Sequence, residues 1–262
     1  MMNLSEIKSC WDELLEWYDK NNISNALVAF SGGKDSTLVL DSAFEALDDV
    51  IAVIIDDVMY PDKEIEEAIK LSEEIGAEYQ VIETDKLSNE NLKNNPPERC
   101  YHCKKELFSS IEGEGTILEG TNASEVKGHR PGLEAVKDYA RAPLLENDIG
   151  EEEVRDILRW RGREIWDKPS FACLASRIPT GTELTKEELE KIERIEKKIF
   201  GLGVKQLRLR DFGDAARIEV WPEDMEKIIE NREKIVKWLK DEGYEKIFLD
   251  IEGYRCGSIS GV

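Results

Sequence analysis

Residues 26–36 read Ala-Leu-Val-Ala-Phe-Ser-Gly-Gly-Lys-Asp-Ser, and this stretch decides the fold. Its first five residues form a short, continuous apolar run, which is typical of a strand buried on both faces. The two glycines allow a tight turn, and a helix is predicted from about Ser36 to Leu47. Strand, turn and helix in this order aim backbone N–H groups and the positive end of the helix dipole into one concavity. The stretch therefore predicts a loop that binds phosphate.

The same loop offers side-chain donors as well as backbone N–H groups. Ser31 and Ser36 carry hydroxyls, and Lys34 carries a positive charge. The loop is not a Walker A motif, which needs the pattern G-x-x-x-x-G-K-[ST]. The alternative is an ordinary strand-to-helix turn that happens to contain two glycines. The buried strand before the loop and the helix after it favour the phosphate-binding interpretation.

Apolar runs and helical periodicity alternate along the first part of the chain. A second buried strand covers residues 51–55, and further strands are predicted at 79–82 and 116–118. The apolar spacing of residues 65–75 marks a helix, and Gly76 suits its C-terminal cap. This alternation predicts an α/β fold with a parallel sheet and right-handed crossovers. Ligands of such sheets bind beyond the carboxyl ends of the strands, where the phosphate loop lies.

The pattern changes after about residue 180. The later elements are predicted as helices at 185–200 and 223–239 and strands at 205–209, 216–221 and 246–251. Such a set predicts a smaller α+β C-terminal domain. We therefore divide the chain into a domain of residues 1–170, a linker of 171–183 that carries Cys173, and a C-terminal domain of 184–262.

Composition and charge narrow the function. The 262 residues include 36 Lys and Arg against 57 Asp and Glu, which gives a formal net charge of −21. Such a surface repels polyanions, so nucleic acid is not expected as a partner. No apolar run approaches the roughly 18 residues that cross a membrane, and the charged beginning of the chain does not resemble a signal peptide. We expect a cytoplasmic protein without a membrane partner.

The five cysteines are an odd number, so a disulfide framework is not expected. Cys100 and Cys103 form a C-x-x-C pair, for which two inert, buried thiols are an equal alternative, since zinc would need two more ligands. Cys173 lies in a stretch rich in Pro and Gly, where Arg177 could lower its pKa. Both segments are predicted as loops. When Cys173 is considered by itself, a structural role is favoured. When it is considered together with the phosphate loop and the C-x-x-C pair, Cys173 becomes the best candidate for a nucleophile or cluster ligand.

Charged residues of the C-terminal domain fall at positions with apolar neighbours. Glu196 lies within the apolar stripe of the helix 185–200, where a carboxylate snorkels, pairs with a cation or serves a ligand. If the strands 205–209 and 216–221 pair as a hairpin, three arginines and a glutamate share one face. These residues are Arg208, Arg210, Arg217 and Glu219. A solvated charged face is the alternative. In a chain of such negative charge, an arginine cluster is a candidate phosphate site.

The hexapeptide Ser31–Ser36 resembles the S-G-G-x-D-S signature of the PP-loop ATP pyrophosphatases. The resemblance implies that the loop holds the β- and γ-phosphates of ATP and releases them as pyrophosphate. A substrate oxygen then attacks the α-phosphate and becomes adenylylated. The residues implied to bind phosphate or Mg²⁺ are Ser31, Gly32, Gly33, Asp35 and Ser36. This signature fixes only half of the reaction, since members of the superfamily differ in the acceptor.

A longer, ordered series of motifs resembles one family in particular, the LarE family of pyridinium-3,5-biscarboxylic acid mononucleotide sulfurtransferases. The series runs Gly120-Thr-Asn122, His129-Arg-Pro-Gly132, Ala142-Pro-Leu144, Trp166-Asp-Lys-Pro169, Cys173-Leu-Ala-Ser-Arg177, Arg208-Leu-Arg210, Ala216-Arg-Ile-Glu219 and Gly253-Tyr-Arg255. The likeness spans residues 20–258 and is far more specific than the loop alone. It implies sulfur transfer to an adenylylated carboxylate of a nicotinate-derived mononucleotide, in nickel-pincer nucleotide biosynthesis. It also implies a homo-oligomer.

The family resemblance implies a role for several residues near the predicted hairpin. Cys173 falls on the sulfur-handling cysteine of the family, whereas Cys10 is outside the pattern and Cys256 falls where a serine is expected. The implied substrate pocket consists of Ser176, Arg177, Glu196, Arg208, Arg210 and Glu219.

The C-x-x-C pair suggests how sulfur is delivered. We predict that Cys100, Cys103 and Cys173 together ligate one [4Fe–4S] cluster, because cubane clusters are held by thiolates. The competing hypothesis is sacrificial: Cys173 gives up its own sulfur, and the pair takes no part. Two other functions stay open, namely a PP-loop tRNA thiolase, which the net charge disfavours, and a non-catalytic nucleotide-binding regulator.

Overall fold

Four parallel strands form the sheet of the first unit. They run β1 Asn25–Ala29, β2 Asp49–Asp56, β3 Glu78–Glu83 and β4 Thr116–Leu118, in the spatial order β3-β2-β1-β4. The computed structural model describes residues 2–127, 138–169 and 172–255. The parallel pairing confirms the predicted α/β class. The phosphate loop follows β1, an inner strand of this sheet.

Helices cover the sheet and supply most of its core. They are α1 Leu4–Lys20, α2 Lys34–Ala46, α3 Asp62–Ile75, α5 Arg99–Ser110, α6 Pro143–Glu146 and α7 Glu151–Trp160, whereas the short helix α4 Glu90–Lys93 belongs to the other unit. A capping box at Asn3 starts α1, and Gly76 ends α3 in the left-handed region with φ 93°, as the sequence predicts. Helix α2 begins at Lys34, two positions before the predicted start, so its N-terminal turn is itself part of the loop.

Helix α5 corrects one prediction. The C-x-x-C pair was predicted to lie in a loop, but Cys100 and Cys103 occupy the first turns of α5. The helix buries only Phe108 fully, so it lacks the repeating apolar stripe from which helices are recognised in a sequence. The prediction of a loop was wrong because this helix carries almost no periodic signal.

A second, smaller sheet forms the other unit. Strands β5 Leu207–Asp211 and β6 Ala215–Val220 pair as an antiparallel hairpin, and β7 Lys246–Leu249 pairs parallel with β6. The accompanying helices are α8 Lys186–Phe200, α9 Met225–Glu230 and α10 Arg232–Asp241. The hairpin and the smaller sheet agree with the predicted fold. The single helix predicted at 223–239 is broken at Asn231, which ends α9 and begins α10.

The boundaries of the two units differ from the division made on the sequence. One unit comprises Met1–Thr84 and Glu98–Phe171, and the other comprises Asp85–Pro97 and Ala172–Val262. The chain thus passes from the first unit into the second at Asp85 and returns to the first at Glu98. Within the second unit, the side-chain amide of the buried Asn95 donates to the carbonyl oxygens of residues 178 and 179, at 3.3 and 3.0 Å. No helix in the described ranges is long and apolar enough to cross a membrane.

Candidate functional site

The phosphate loop is shaped by two glycines. Gly32 has φ 65°, in the left-handed region, and a Cβ there would lie 3.0 Å from the Cα of Ala68 on α3. No side chain other than hydrogen fits both the conformation and the close approach. Across the loop, the hydroxyls of Ser31 and Ser36 lie 3.1 Å apart, and the Ser36 hydroxyl also donates to the carbonyl oxygen of Gly33. Hydroxyls and backbone N–H groups therefore converge at the start of α2, as the sequence predicts for an anion site.

Asp35 is held by the turn that follows β4. The side-chain amide of Asn122 donates to Asp35 at 2.8 Å, and a Cβ on Gly120 would lie 2.7 Å from the backbone nitrogen of Ser36. The motif Gly120-Thr-Asn122 is thus the rear wall of the phosphate loop. Burial raises the pKa of Asp35, against the hydrogen bond from Asn122 and the charge of Lys34, which both lower it. A carboxylate in this position is suited to a divalent cation, which would favour its charged form.

Lys34 makes a different contact from the one that the sequence suggests. Its side chain is 2% exposed, and its ammonium lies 3.2 Å from the carboxylate of Glu151 at the start of α7. Arg155 lies 3.3 Å from the same carboxylate. The predicted contact between Lys34 and phosphate stays a prediction.

An open pocket of about 100 Å³ adjoins the loop. Its walls come from the ends of β1 and β2, from α3 and from α5, and its lining residues are Ala29, Phe30, Ser31, Val53, Ile54, Ile55, Tyr60, Glu64, Ile65, Ala68 and Leu107. The lining is mostly apolar. An apolar pocket beside an anion-binding loop is the pairing that a nucleotide requires, with its base in the pocket and its phosphates on the loop.

The C-x-x-C helix is part of the wall of this pocket. Cys100 is exposed and Cys103 is half-buried, and the hydroxyl of Tyr60 lies 3.5 Å from the Cys103 sulfur. One residue further on, Lys104 bonds to Glu119 at 2.9 Å and to Thr121 at 3.3 Å. Helix α5 therefore contacts the pocket lining on one side and the turn behind the phosphate loop on the other. Neither Tyr60 nor Lys104 carries a sequence signal that separates it from ordinary core and surface residues.

In the second unit, Arg177 holds the main chain at Cys173. Cys173 is half-buried and directly precedes a short 3₁₀ helix, Leu174–Arg177, which agrees with the predicted loop. The fully buried guanidinium of Arg177 donates to the carbonyl oxygens of Ala172 and Cys173, at 2.5 and 3.1 Å. Its other nitrogens donate to the Glu196 carboxylate at 3.0 and 2.9 Å. The unusual carboxylate in the apolar stripe of α8 is thus the anchor of the cysteine loop.

The hairpin brings the predicted arginines together but buries them. Arg208 is 1% exposed and Arg210 is 4% exposed, so the alternative of a solvated charged face is wrong. Arg210 bonds to Glu219 at 2.9 Å and donates to the carbonyl oxygen of Ser176 at 2.7 Å. Glu219 also accepts from Arg217. The hairpin is therefore bonded directly to the cysteine loop, since Ser176 belongs to the same 3₁₀ helix as Arg177.

Among the described residues, this buried cluster holds more guanidinium groups than carboxylates. Its buried members there are Arg177, Arg208, Arg210, Glu196 and Glu219, three guanidinium groups and two carboxylates. Burial, together with the nearby charge of Arg177, lowers the pKa of Arg208 to about 10. The ring of Tyr254, 5.0 Å from the Arg208 guanidinium, covers it. A buried surplus of positive charge is costly alone and is relieved by an anion, so the cluster has the chemistry of a phosphate or carboxylate site.

Several predicted residues have no described surroundings. The motif His129-Arg-Pro-Gly132 and Cys256 lie outside the described residues. Cys10 lies on α1 and is partly buried against the core. Within residues 2–127, 138–169 and 172–255, no group of three His, Cys, Asp or Glu side chains is arranged to hold a metal ion. The [4Fe–4S] cluster stays a prediction.

Comparison with known proteins adds evidence independent of this geometry. The family profile of NAD synthase matches residues 6–105, which include the phosphate loop and the C-x-x-C pair. An uncharacterised protein of Synechocystis is 34% identical over 92% of this chain and 93% of its own length. An uncharacterised protein of Methanocaldococcus jannaschii is 29% identical over 90% of this chain and 95% of its own.

A third relative has a named activity. The pyridinium-3,5-bisthiocarboxylic acid mononucleotide synthase of Lactiplantibacillus plantarum is 33% identical over 91% of this chain and 90% of its own length. With the NAD synthase match, this likeness indicates an enzyme of the ATP pyrophosphatase type. A likeness of this extent covers both units, the phosphate loop and the buried arginine cluster. The chain belongs to the LarE family, the pyridinium-3,5-bisthiocarboxylic acid mononucleotide synthases.

Proposed function

We propose that this protein is an ATP-dependent sulfurtransferase that acts on a carboxylate of a pyridinium mononucleotide and forms AMP and pyrophosphate. The observation that carries the proposal is the bonding of a buried, positively charged cluster to the loop of a cysteine. Arg177 donates to the carbonyl oxygen of Cys173, and Arg210 donates to that of Ser176. A phosphate held by this cluster would keep a mononucleotide beside the Cys173 thiol. The name of the L. plantarum relative supports the same substrate class.

The reaction needs activation before sulfur can enter. A carboxylate is a poor electrophile because its oxygen is a poor leaving group. In the proposed first step, a carboxylate oxygen attacks the α-phosphorus of ATP and pyrophosphate leaves, which forms an acyl adenylate. Residues 31–36 would hold the β- and γ-phosphates, with Mg²⁺ at Asp35, so that negative charge on the leaving pyrophosphate is stabilised.

The second step transfers sulfur. A Cys173 thiolate attacks the activated carbonyl carbon, AMP leaves, and a thioester joins the substrate to the protein. Loss of the α-proton of Cys173 then breaks its Cβ–S bond, which releases a thiocarboxylate and leaves dehydroalanine. Two such reactions, each of which consumes the Cys173 sulfur of one protein molecule, would convert both carboxylates of a pyridinium biscarboxylic acid mononucleotide, in the biosynthesis of a nickel-pincer nucleotide. Arg177 and Glu196 keep the main chain of Cys173 in place throughout.

The proposed [4Fe–4S] cluster would change the source of sulfur. Thiolates are the ligands that such clusters use, and Cys100 and Cys103 lie one helical turn apart on α5. Cys173 would be the third ligand. The described part of the chain shows no group of three such ligands already arranged around a metal. By the same family resemblance, the enzyme is proposed to be a cytoplasmic homo-oligomer that acts on a small molecule.

One experiment separates the candidate functions. Anaerobically purified protein is incubated with ATP, Mg²⁺ and the biscarboxylic mononucleotide, and AMP, iron content and intact protein mass are measured. We expect AMP only when the mononucleotide is present. Loss of H₂S from Cys173 without bound iron indicates sacrificial chemistry, whereas an unchanged Cys173 with bound iron indicates a cluster.

The same assay tests the two rival functions. A nucleotide-binding regulator would form no AMP and would not exchange labelled pyrophosphate into ATP. A tRNA thiolase would form AMP in response to tRNA rather than to the mononucleotide. Either result would overturn the proposed function.

A further inference from the structure

Lys168 contacts the phosphate loop, and the reaction proposed above gives this lysine no role. It belongs to the motif Trp166-Asp-Lys-Pro169, yet it is separated from the loop by 136 positions in the chain. Its ammonium donates to the carbonyl oxygen of Gly32 at 3.3 Å. It also contacts the carboxylates of Glu64 and Glu67 on α3, at 2.7 and 2.8 Å. The lysine is thus fixed at three points, one of which is the backbone of the loop.

The neighbours of Lys168 in the motif have ordinary structural roles. The ring of Trp166 packs against the core of the first unit and stacks under Arg159, with 5.0 Å between the guanidinium carbon and the ring centre. Asp167 bonds to Arg155 at 3.2 Å. Core packing and a surface ion pair therefore explain those two positions, but neither explains a lysine that is directed at the phosphate loop.

The bond to Gly32 fixes the direction of the next backbone N–H group. In a trans peptide, the carbonyl of one residue and the N–H of the next point in opposite directions. Because the Gly32 carbonyl points at Lys168, the Gly33 N–H points to the other side, towards the Ser31 hydroxyl at 3.4 Å. That side is the concavity where Ser31 and Ser36 meet. Gly32 itself has few constraints on its own rotation, since glycine tolerates many backbone angles.

The charge of Lys168 is kept under ordinary conditions. Burial alone would lower the pKa of Lys168, but the charges and hydrogen bonds of Glu64 and Glu67 raise it above its usual value. The two carboxylates therefore hold a protonated ammonium against the loop. Glu64 also lines the apolar pocket, so the lysine lies at the side of the loop that faces α3.

We propose that Lys168 is a positioning residue of the ATP site, which turns the Gly32–Gly33 peptide so that its N–H group binds the pyrophosphate part of ATP. The proposal rests on the proposed function, since it assumes that the loop binds pyrophosphate. Lys168 acts through the backbone and does not need to touch the nucleotide. The proposal separates positioning from general stability by one prediction. Loss of Lys168 should weaken the binding of ligands whose phosphates occupy the loop, and should not change the binding of ligands that lack the β- and γ-phosphates.

The test compares three ligands by calorimetry, in the presence of Mg²⁺: α,β-methylene-ATP, inorganic pyrophosphate and AMP. The variants are Lys168→Met and Lys168→Arg. For Lys168→Met we expect binding of the first two ligands to weaken about tenfold or more, as for the loss of a charge-assisted hydrogen bond, and binding of AMP to be unchanged. Lys168→Arg should restore most of the affinity, because a guanidinium can still donate to the Gly32 carbonyl.

A matched control removes a charge without touching the loop. Lys63 is 70% exposed and lies 3.3 Å from Glu67, so Lys63→Met takes a positive charge from the same carboxylate. We expect this variant to bind all three ligands like the wild type. The deficit of Lys168→Met should also persist at high ionic strength, because salt screens a distant charge but does not reorient a peptide.

Each other result has a distinct meaning. Unchanged pyrophosphate affinity in Lys168→Met would overturn the role of Lys168 while the proposed function stands. Equal weakening of AMP and pyrophosphate, without rescue by Lys168→Arg, would also overturn it, since that is the result of a general structural defect. A wild-type protein that binds neither pyrophosphate nor the ATP analogue would overturn the proposed function and this proposal together.

Discussion

Replacing Arg208 by methionine is expected to weaken binding of the mononucleotide without weakening the fold. Arg208 is 1% exposed, and burial together with the nearby Arg177 lowers its pKa from 12.5 to about 10. A shift of this size means that keeping Arg208 charged in the folded state costs about 3 kcal/mol. Because the lowered pKa is still far above neutrality, the cost is constant around pH 7 and declines only as the pH rises above about 10.

Methionine fills a similar volume and carries no charge. Arg208 also donates to the carbonyl oxygen of Leu207 at 2.8 Å, and the loss of this bond offsets part of the gain from removing the buried charge, so the free energy of unfolding of Arg208→Met should stay close to that of the wild type. Loss of a charge-assisted phosphate contact should weaken mononucleotide binding by about 1.5–3 kcal/mol, and ATP binding should be unchanged. The assays are urea unfolding and calorimetric titration with each nucleotide. Phosphate should also raise the melting temperature of the wild type more than that of the variant.

Arg210→Met is the matched comparison. Arg210 bonds to Glu219 and to the carbonyl oxygen of Ser176, so its loss leaves buried acceptors that must find other partners. This variant should lose both stability and mononucleotide binding. The reasoning fails if Arg208→Met is destabilised as strongly as Arg210→Met, or if it binds the mononucleotide with wild-type affinity.

Three further predictions concern the first unit. Asp35→Ala should abolish AMP formation and leave the circular dichroism spectrum unchanged, because Asp35 is proposed to bind Mg²⁺. The control variant Asp48→Ala, at an exposed position, should stay active. Full activity of Asp35→Ala would show that Asp35 does not bind the catalytic Mg²⁺. Burial raises the pKa of Cys10 from 9.0 to about 11, so alkylation of this thiol should be slow at pH 8. The stability that the protonated thiol contributes should be lost as the pH rises from 9.0 towards 11. Rapid labelling of Cys10 at pH 8, measured by peptide mapping, would contradict this prediction. Binding of ATP should slow alkylation of Cys103, whose sulfur contacts the pocket lining, more than that of the exposed Cys100; equal slowing of both thiols would count against a nucleotide in this pocket.

The sequence by itself determined the features that depend on neighbouring residues. The phosphate loop is recognisable because strand, glycine turn and helix follow one another within residues 26–46. The hairpin is recognisable because its two strands alternate in register, with Arg208 opposite Glu219. Glu196 was conspicuous because a helix repeats its buried face every three to four positions, and a carboxylate interrupts that pattern.

Only the tertiary structure decided the features that join distant parts of the chain. It buried Arg208 and Arg210 under the cysteine loop, where the alternation of the strand predicted only a shared face. It set the C-x-x-C pair on a helix beside the pocket, and it brought Lys168 to the carbonyl of Gly32. Such contacts leave no periodic trace, because periodicity records which face of an element is buried, and not which distant residue lies against it.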